Sequence, residues 1–338
     1  MPLTDTALPK APVAAVAVPG APDTAGLDDR LAAHLAGRLA HPDVPRLKIN
    51  LYRGYEVAAV AEAAADLRGT VPGFTQLDSL MVADSVLTTH MGRASTRVPS
   101  GEEAAFLDIM RGLVAEVAAA ARAAFGTGPE APYVIADMPD GSARTPDDAE
   151  RHGAGMLALG ADILKVEVGD DGGFPILERL GRAGLPVIAH LGYTPQSREN
   201  RKYGTTPEEA LALCAAARRA RDAGARAIVL ERVSGAVNGV LSRPSPRGLP
   251  VYSIFSGRCP HLGQSLNVWD SVIRPDFAAK AFPPTADLNR AAYPDGYTGA
   301  AIRAHMAALL RLTLEGRFPP RDPLAPPAGL PDDPWGAA

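Results

Sequence analysis

The sequence predicts a (β/α)8 barrel, a TIM-type α/β fold, on three observations. Eight short runs rich in Val, Ile and Leu recur along the chain, each with little polar alternation. Strands of that kind are covered on both faces, as in a parallel sheet. Helical patterns lie between most of the runs, the alternation expected of βα units. Ionisable residues also fall at the same end of five consecutive runs, which is where barrels place their chemistry. An open doubly wound sheet is the alternative. No G-x-G-x-x-G follows the first run, so its dinucleotide-binding version has no support.

In chain order, residues 1–25 read as a disordered tail rich in Pro and Ala. Ala11 to Pro22 faintly resembles a secretion signal, but it has no Leu or Phe and is broken by Pro19. Asp28 and Asp29 precede Leu31, Leu35 and Leu39, which predicts a short amphipathic helix with an acidic start. The strands are expected at 46–53, 77–84, 132–138, 161–168, 185–191, 227–233, 250–256 and 264–270. The longest helix is expected from Glu102 to Phe125. Thr145-Pro146-Asp147-Asp148 and Thr206-Pro207-Glu208-Glu209 each place a hydroxyl at the N-cap and proline at the first helical position. Gly160, Gly184 and Gly224 stand where helix C-caps belong.

Residues 26–318 thus read as one barrel domain with an N-terminal helix, and 319–338 as a Pro-rich C-terminal tail. The two ends hold 12 of the 32 prolines, so the high proline content does not mean disorder throughout.

A net charge of −4 without a basic stripe argues against a nucleic-acid partner. No apolar run is long enough to cross a membrane as a helix. Cys214 and Cys259 are the only cysteines. Two cannot build a disulfide framework or a thiolate zinc site, and a cytoplasmic setting is expected.

The strand ends carry Asp84-Ser85, Asp137, Lys165 with Glu167, His190 and Glu231. Asp84, Asp137 and Glu167, brought together on adjacent strands, would raise one another's pKa unless a hard cation lay between them. Mg²⁺ suits such an oxygen set, and no Cys/His spacing favours zinc. Lys165 either neutralises these acids or clamps an anionic substrate. Glu231, set apart from them, is either a general base or half of an ion pair. His190 is either a donor to a substrate or a packed structural histidine.

Residues 46–320 resemble the ketopantoate (3-methyl-2-oxobutanoate) hydroxymethyltransferase family. Val82-Ala83-Asp84-Ser85, followed by Gly92 and Ser95-Thr96, resembles its V-G-D-S-L-G and G-x-x-S-T. Asp137-Met138-Pro139 resembles D-M-P-F, Lys165-Val166-Glu167 resembles K-L-E-G, and His190-Leu191-Gly192-Tyr193-Thr194-Pro195-Gln196 resembles H-L-G-L-T-P-Q. Leu230-Glu231, Gly263-Gln264 and Phe318-Pro319 resemble its L-E, G-Q and F-P.

The resemblance implies a barrel of the phosphoenolpyruvate/pyruvate superfamily. It also implies a Mg²⁺ site at Asp84, Asp137 and Glu167, with Glu167 acting through water. Ser85 and Lys165 would hold a keto-acid carboxylate, Glu231 would be the catalytic base, and His190 would join the substrate site. The implied reaction moves a one-carbon unit from 5,10-methylenetetrahydrofolate, or formaldehyde, to a small-molecule 2-oxo acid such as 3-methyl-2-oxobutanoate, in pantothenate biosynthesis. It also implies a homo-oligomer, a decamer. A C–C lyase or aldolase of the same superfamily, or a non-catalytic binding barrel, are the alternative functions.

Several positions depart from the family. Ala83 replaces a glycine, Asp140 replaces the Phe of D-M-P-F, and Asn50-Leu51-Tyr52-Arg53 stands for T-A-Y-D. On the seventh strand, Ser253-Ile254-Phe255-Ser256-Gly257 stands for G-I-G-A-G, so side chains fill space the family leaves to backbone and ligand. Retained polar residues with altered walls predict an enolising enzyme with a changed acceptor or one-carbon donor.

Overall fold

The structure, a computed structural model, describes residues 24–40, 44, 46–169, 172–245, 247–257, 263–269, 299–318 and 329–336. Eight parallel strands close into a barrel in sequence order. They are β1 (Arg46–Leu51), β2 (Ser79–Val82), β3 (Tyr133–Asp137), β4 (Ile163–Glu167), β5 (Val187–Gly192), β6 (Ala227–Glu231), β7 (Val251–Ile254) and β8 (Gly263–Asn267). The first seven lie within two residues of their predicted bounds, β8 ends three residues short of its own, and β8 closes on β1 with Arg46 opposite Gly263. Gly263 is needed there, since a Cβ would come within 2.4 Å of the Val251 carbonyl oxygen.

The surrounding helices are α1 (Thr24–Ala40), α2 (Gly54–Leu67), α3 (Val86–Thr89), α4 (Glu103–Phe125), α5 (Pro146–Ala158), α6 (Gly173–Arg182), α7 (Pro207–Asp222), α8 (Gly235–Leu241) and α9 (Gly299–Leu314). The two expected N-caps form: Thr145 Oγ1 accepts from the Asp148 N–H at 3.1 Å, and Thr206 Oγ1 from that of Glu209 at 3.3 Å. Gly160, Gly184 and Gly224 follow their helices with φ of +105°, +70° and +95°. α9 docks on α2 through Arg303, which pairs with Glu62 and Asp66. Among the described residues no helix is long and apolar enough to cross a membrane.

Two expectations at the ends change. α1 begins at Thr24, a turn earlier than predicted, so Asp28 and Asp29 lie past its first turn, which holds no acid. Leu27 is buried and Arg30 pairs with Asp162 at 2.6 Å, and these contacts anchor that extra turn on the barrel. The disordered tail expected at 1–25 lies outside the described residues except for Thr24 and Ala25.

The C-terminal segment is not all tail. Residues 329–336 return to the barrel, Trp335 is buried, and its Nε1 donates to the Leu241 carbonyl at 3.1 Å. Burying an indole whose N–H finds a partner offsets part of the cost of ordering a short segment. Arg218 and Arg221 bond the carbonyls of Pro334 and Trp335, so the segment seals the face away from the strand carboxyl ends.

The barrel interior is unusually polar. Tyr133 and Tyr252 share a hydroxyl contact of 2.5 Å, and Tyr252 donates to Asp78 at 2.9 Å. On β1, Lys48 and Asn50 share the inward face, and Lys48 Nζ donates to Asn50 Oδ1 at 2.6 Å and Ser265 Oγ at 3.0 Å. Buried polar groups persist only where they are bonded to each other, so these chains of contacts fix the interior and the floor of the cavity above.

Candidate active site

At the carboxyl ends of the strands lies a cavity of about 420 Å³, lined by all seven of the residues singled out: Asp84, Ser85, Asp137, Lys165, Glu167, His190 and Glu231. A larger cavity, about 730 Å³, lies outside the barrel between α6 and α7 and contains none of them. The candidate site residues thus gather in the smaller one.

β3 and β4 set one wall. Lys165 Nζ lies 2.9 Å from Asp137 Oδ1 and 3.2 Å from His190 Nδ1. Asp137 Oδ2 accepts the Asp84 backbone N–H at 3.2 Å. Burial and the Asp137 charge push Asp84 up to about 7, against the pull of Lys165. Burial pulls the Lys165 ammonium down, but Asp137, Asp84 and Glu167 together hold it above its ordinary value, so it is charged.

Gln196, in the loop after β5, ties this wall together. Its backbone N–H donates to Glu167 Oε2 at 2.9 Å, and its side-chain amide donates to Asp84 Oδ2 at 2.9 Å and the Met138 carbonyl at 3.1 Å. Burial raises Glu167 well above the usual carboxylate range, opposed by Lys165 and supported by Asp84 and Asp137.

Glu231 stands across the cavity. Burial lifts it to about 8, Lys165 opposes this and Asp84 adds to it. His190 sits between the two sides, with Nδ1 3.7 Å from Glu167 and Nε2 3.3 Å from Glu231, the latter outside hydrogen-bond geometry. Burial, Lys165 and Lys48 hold this imidazole well below its ordinary pKa, so it is neutral. With Lys165 donating to Nδ1, the ring proton is assigned to Nε2, facing Glu231. Gly192 permits this closeness: its φ is +91°, and a Cβ there would come within 2.4 Å of the Glu231 carbonyl. Ser85 begins α3 at the mouth, with its hydroxyl 2.8 Å from that of Tyr52, which in turn accepts from Asn267 at 3.0 Å.

The carboxylates do not form one triad. Among the described residues no set of three His, Cys, Asp or Glu side chains is placed to hold a metal ion. The physical reason is the loop after β5, whose Gln196 N–H takes one oxygen of Glu167 for the backbone. Asp84 and Asp137 remain as a pair and could hold a hard divalent cation. Their donors are all oxygen, and Mg²⁺ commonly takes one or two carboxylates and completes its shell with water and substrate oxygens. Such a cation would also offset the repulsion that raises Asp84.

A family model for ketopantoate hydroxymethyltransferase matches residues 70–274, more than half of the chain. The chain belongs to the ketopantoate hydroxymethyltransferase family. Relatives named 3-methyl-2-oxobutanoate hydroxymethyltransferase include one from Pyrobaculum neutrophilum, 32% identical over 255 residues, covering 73% of this chain and 85% of its own. One from Thermotoga maritima is 32% identical over 220 residues, covering 63% and 74%. Among solved structures, a 2,3-dimethylmalate lyase aligns with a TM-score of 0.42 at 18% identity, covering 79% of this chain and 88% of that one. That likeness is too slight to add to the barrel seen directly.

Membership makes the chain an enzyme of the transferase class. Several residues at its site were not singled out by the sequence. Gln196 lies within the T-P-Q motif, and its amide could have been read as a tie between loops. Lys48 was legible only as a lysine inside an otherwise apolar strand. Asn50 and Tyr52, noted only as part of the stretch that stands for T-A-Y-D, and Asn267, which has no motif of its own, line or brace the mouth, and Arg232 and Phe255 are taken up below.

Proposed function

We propose that this chain transfers a hydroxymethyl unit to C3 of a 2-oxo acid through the enolate, with 3-methyl-2-oxobutanoate, the compound its relatives are named for, as the reference acceptor. The observation that carries this reading is the division of the cavity: the Asp84–Asp137–Lys165 cluster on one side and Glu231 on the other.

The ammonium of Lys165 and the hydroxyl of Ser85 bind the keto-acid carboxylate. Mg²⁺ held by Asp84 and Asp137, with Glu167 reached through water, would supply Lewis-acid stabilisation of the negative charge that develops on the keto oxygen. The Glu231 carboxylate takes the C3 proton, a role for which a pKa raised by burial suits it. C3 of the enolate then forms a bond to the carbon of formaldehyde, free or released with water from 5,10-methylenetetrahydrofolate. The formaldehyde π-bond electrons become the new alkoxide, and the Glu231 proton is returned to it. His190, neutral, presents its Nε2 to Glu231 at 3.3 Å and adds no charge to oppose proton removal. Assembly as a homo-oligomer belongs to the same reading, and sedimentation of the full chain tests it.

The reaction is tested by proton NMR of C3 hydrogen–deuterium exchange in 3-methyl-2-oxobutanoate, followed by mass measurement of the product with each one-carbon donor. Mg²⁺-dependent exchange that Glu231→Gln abolishes supports the reading. Exchange in no 2-oxo acid, or exchange indifferent to Glu231, contradicts it.

A further inference from the structure

Two non-glycine residues among the described ones have a positive φ: Arg232 and Phe255, both at 51°. They occupy equivalent places. Arg232 directly follows Glu231 at the end of β6, Phe255 directly follows Ile254 at the end of β7, and both line the catalytic cavity. A left-handed backbone costs an L-residue roughly 1–2 kcal/mol, and neighbouring strands share that cost here. Such strain persists where the surroundings enforce it, and it gathers at binding sites.

The enforcing contacts are visible. The Arg232 N–H donates to the Ile254 carbonyl at 3.1 Å, and Arg232's own carbonyl accepts from the Tyr203 N–H at 2.9 Å. Buried Ser256 clasps both turns, accepting from the Val233 N–H at 2.8 Å and donating to the Ile254 carbonyl at 3.1 Å. One hydroxyl, through two bonds, and two backbone bonds thus hold two side chains at the rim.

The Arg232 guanidinium has unused capacity. It is half-buried, makes no ion pair among the described residues, and its Nε is buried without a hydrogen-bond partner. Arg93, the other guanidinium lining the cavity, is paired with Glu102 at 2.8 Å. The charge of Arg232 is felt by Glu231 and Tyr193, which line the same cavity. The cavity therefore offers two cations, Lys165 on β4 and Arg232 just past the end of β6. One suffices for the carboxylate of any 2-oxo acid. An alkyl tail would leave the buried Nε of Arg232 without a partner, which is costly, whereas a carboxylate matches the planar guanidinium fork.

We propose that Arg232, held at the rim beside Phe255, is a specificity-determining residue that binds a second carboxylate on the acceptor, so that this chain prefers dicarboxylic 2-oxo acids over alkyl ones. The proposal rests on the reading of the cavity as a 2-oxo-acid site. It goes further in naming the acceptor's other end, beside Phe255, which stands where the sequence departs from the family's pattern.

The test compares 2-oxoglutarate with 2-oxopentanoate, which has the same carbon chain and no second carboxylate. Calorimetric affinity with Mg²⁺ present is measured for the wild type, Arg232→Met and Arg232→Lys, and folding of each variant is checked by circular dichroism. The wild type is expected to favour 2-oxoglutarate at least tenfold, Arg232→Met to bring the ratio to within about twofold of unity, and Arg232→Lys to restore part of it. A wild type that binds both alike, or a ratio unchanged in Arg232→Met, overturns the proposal. The C3 exchange assay separates the two claims. Arg232-dependent selectivity without exchange in any acid sustains the second anion site and refutes the enolising function. Exchange in 3-methyl-2-oxobutanoate without Arg232-dependent selectivity does the reverse.

Discussion

Lys48 offers a sharp physical test because its environment fixes both a sign and a magnitude. The ammonium is 1% exposed inside the barrel, where burial, reinforced by the charge of Lys165, brings its pKa down to about 7 despite the opposing fields of Asp137 and Glu231. An unfolded lysine titrates near 10.5. Between these values the unfolded chain holds a proton that the folded chain does not. Stability must therefore rise with pH from about 7 to about 10.5, by about 1.4 kcal/mol per unit in mid-window, and be flat in this component below 7. Over the whole window the difference approaches about 5 kcal/mol, reduced by whatever relaxation admits water.

Urea unfolding of wild type and Lys48→Met at several pH values isolates this slope, since the surface groups titrating in that range are common to both. The variant also leaves Asn50 Oδ1 and Ser265 Oγ without their donor, at about 1–3 kcal/mol each, so its stability at one pH is not the discriminating quantity. The slope is. Wild type minus variant should climb by about 1.4 kcal/mol per unit between about 8 and 10. A difference independent of pH would mean that Lys48 stays charged in the fold, and the account of a neutral amine beneath the cavity would be wrong.

Three further outcomes are expected. Gln196→Ala removes the bonds to Asp84 and Met138, and by calorimetry should weaken Mg²⁺ binding about 10–100-fold, the usual cost of losing a group that orients a ligand. Trp335→Ala should cost about 3–5 kcal/mol in urea unfolding while leaving the exchange rate of the folded protein unchanged, because Trp335 lies on the face opposite the cavity. The exchange rate should rise with pH along an acid limb, since Glu231 must lose its proton to act. Saturating Mg²⁺ should bring its midpoint below about 8 by cancelling the Asp84 charge, and a rate flat across that range would exclude Glu231 as the base.

The barrel was legible because its signals are local. An apolar run bounded by a Thr-Pro cap before one helix and a left-handed glycine after another needs no knowledge of the tertiary fold, and all eight strands follow. The seven polar residues at the strand ends were legible because a parallel barrel puts every strand end on one face. What could not be read is orientation within a strand. Lys48 and Asn50 share the inward face of β1, but both faces of a barrel strand are buried, so their partners appear only when β8 closes on β1. Arg232 and Phe255 hide differently: glycine advertises a positive φ, whereas these two adopt it because Ser256 and Tyr203 hold them there. Trp335 was masked by its own surroundings, a proline-rich composition in which one indole anchors the segment.

The central claim is that Glu231 removes the C3 proton of a 2-oxo acid held by the Asp84–Asp137–Lys165 wall. Its most direct measurement is the NMR rate of C3 deuterium incorporation into 3-methyl-2-oxobutanoate and 2-oxoglutarate, in wild type and Glu231→Gln, with Mg²⁺ and without any one-carbon donor. Exchange in at least one acid, dependent on Mg²⁺ and lost by at least a hundredfold in Glu231→Gln, is the predicted result. Exchange at the wild-type rate in that variant, with both proteins folded and binding the acid, would contradict it.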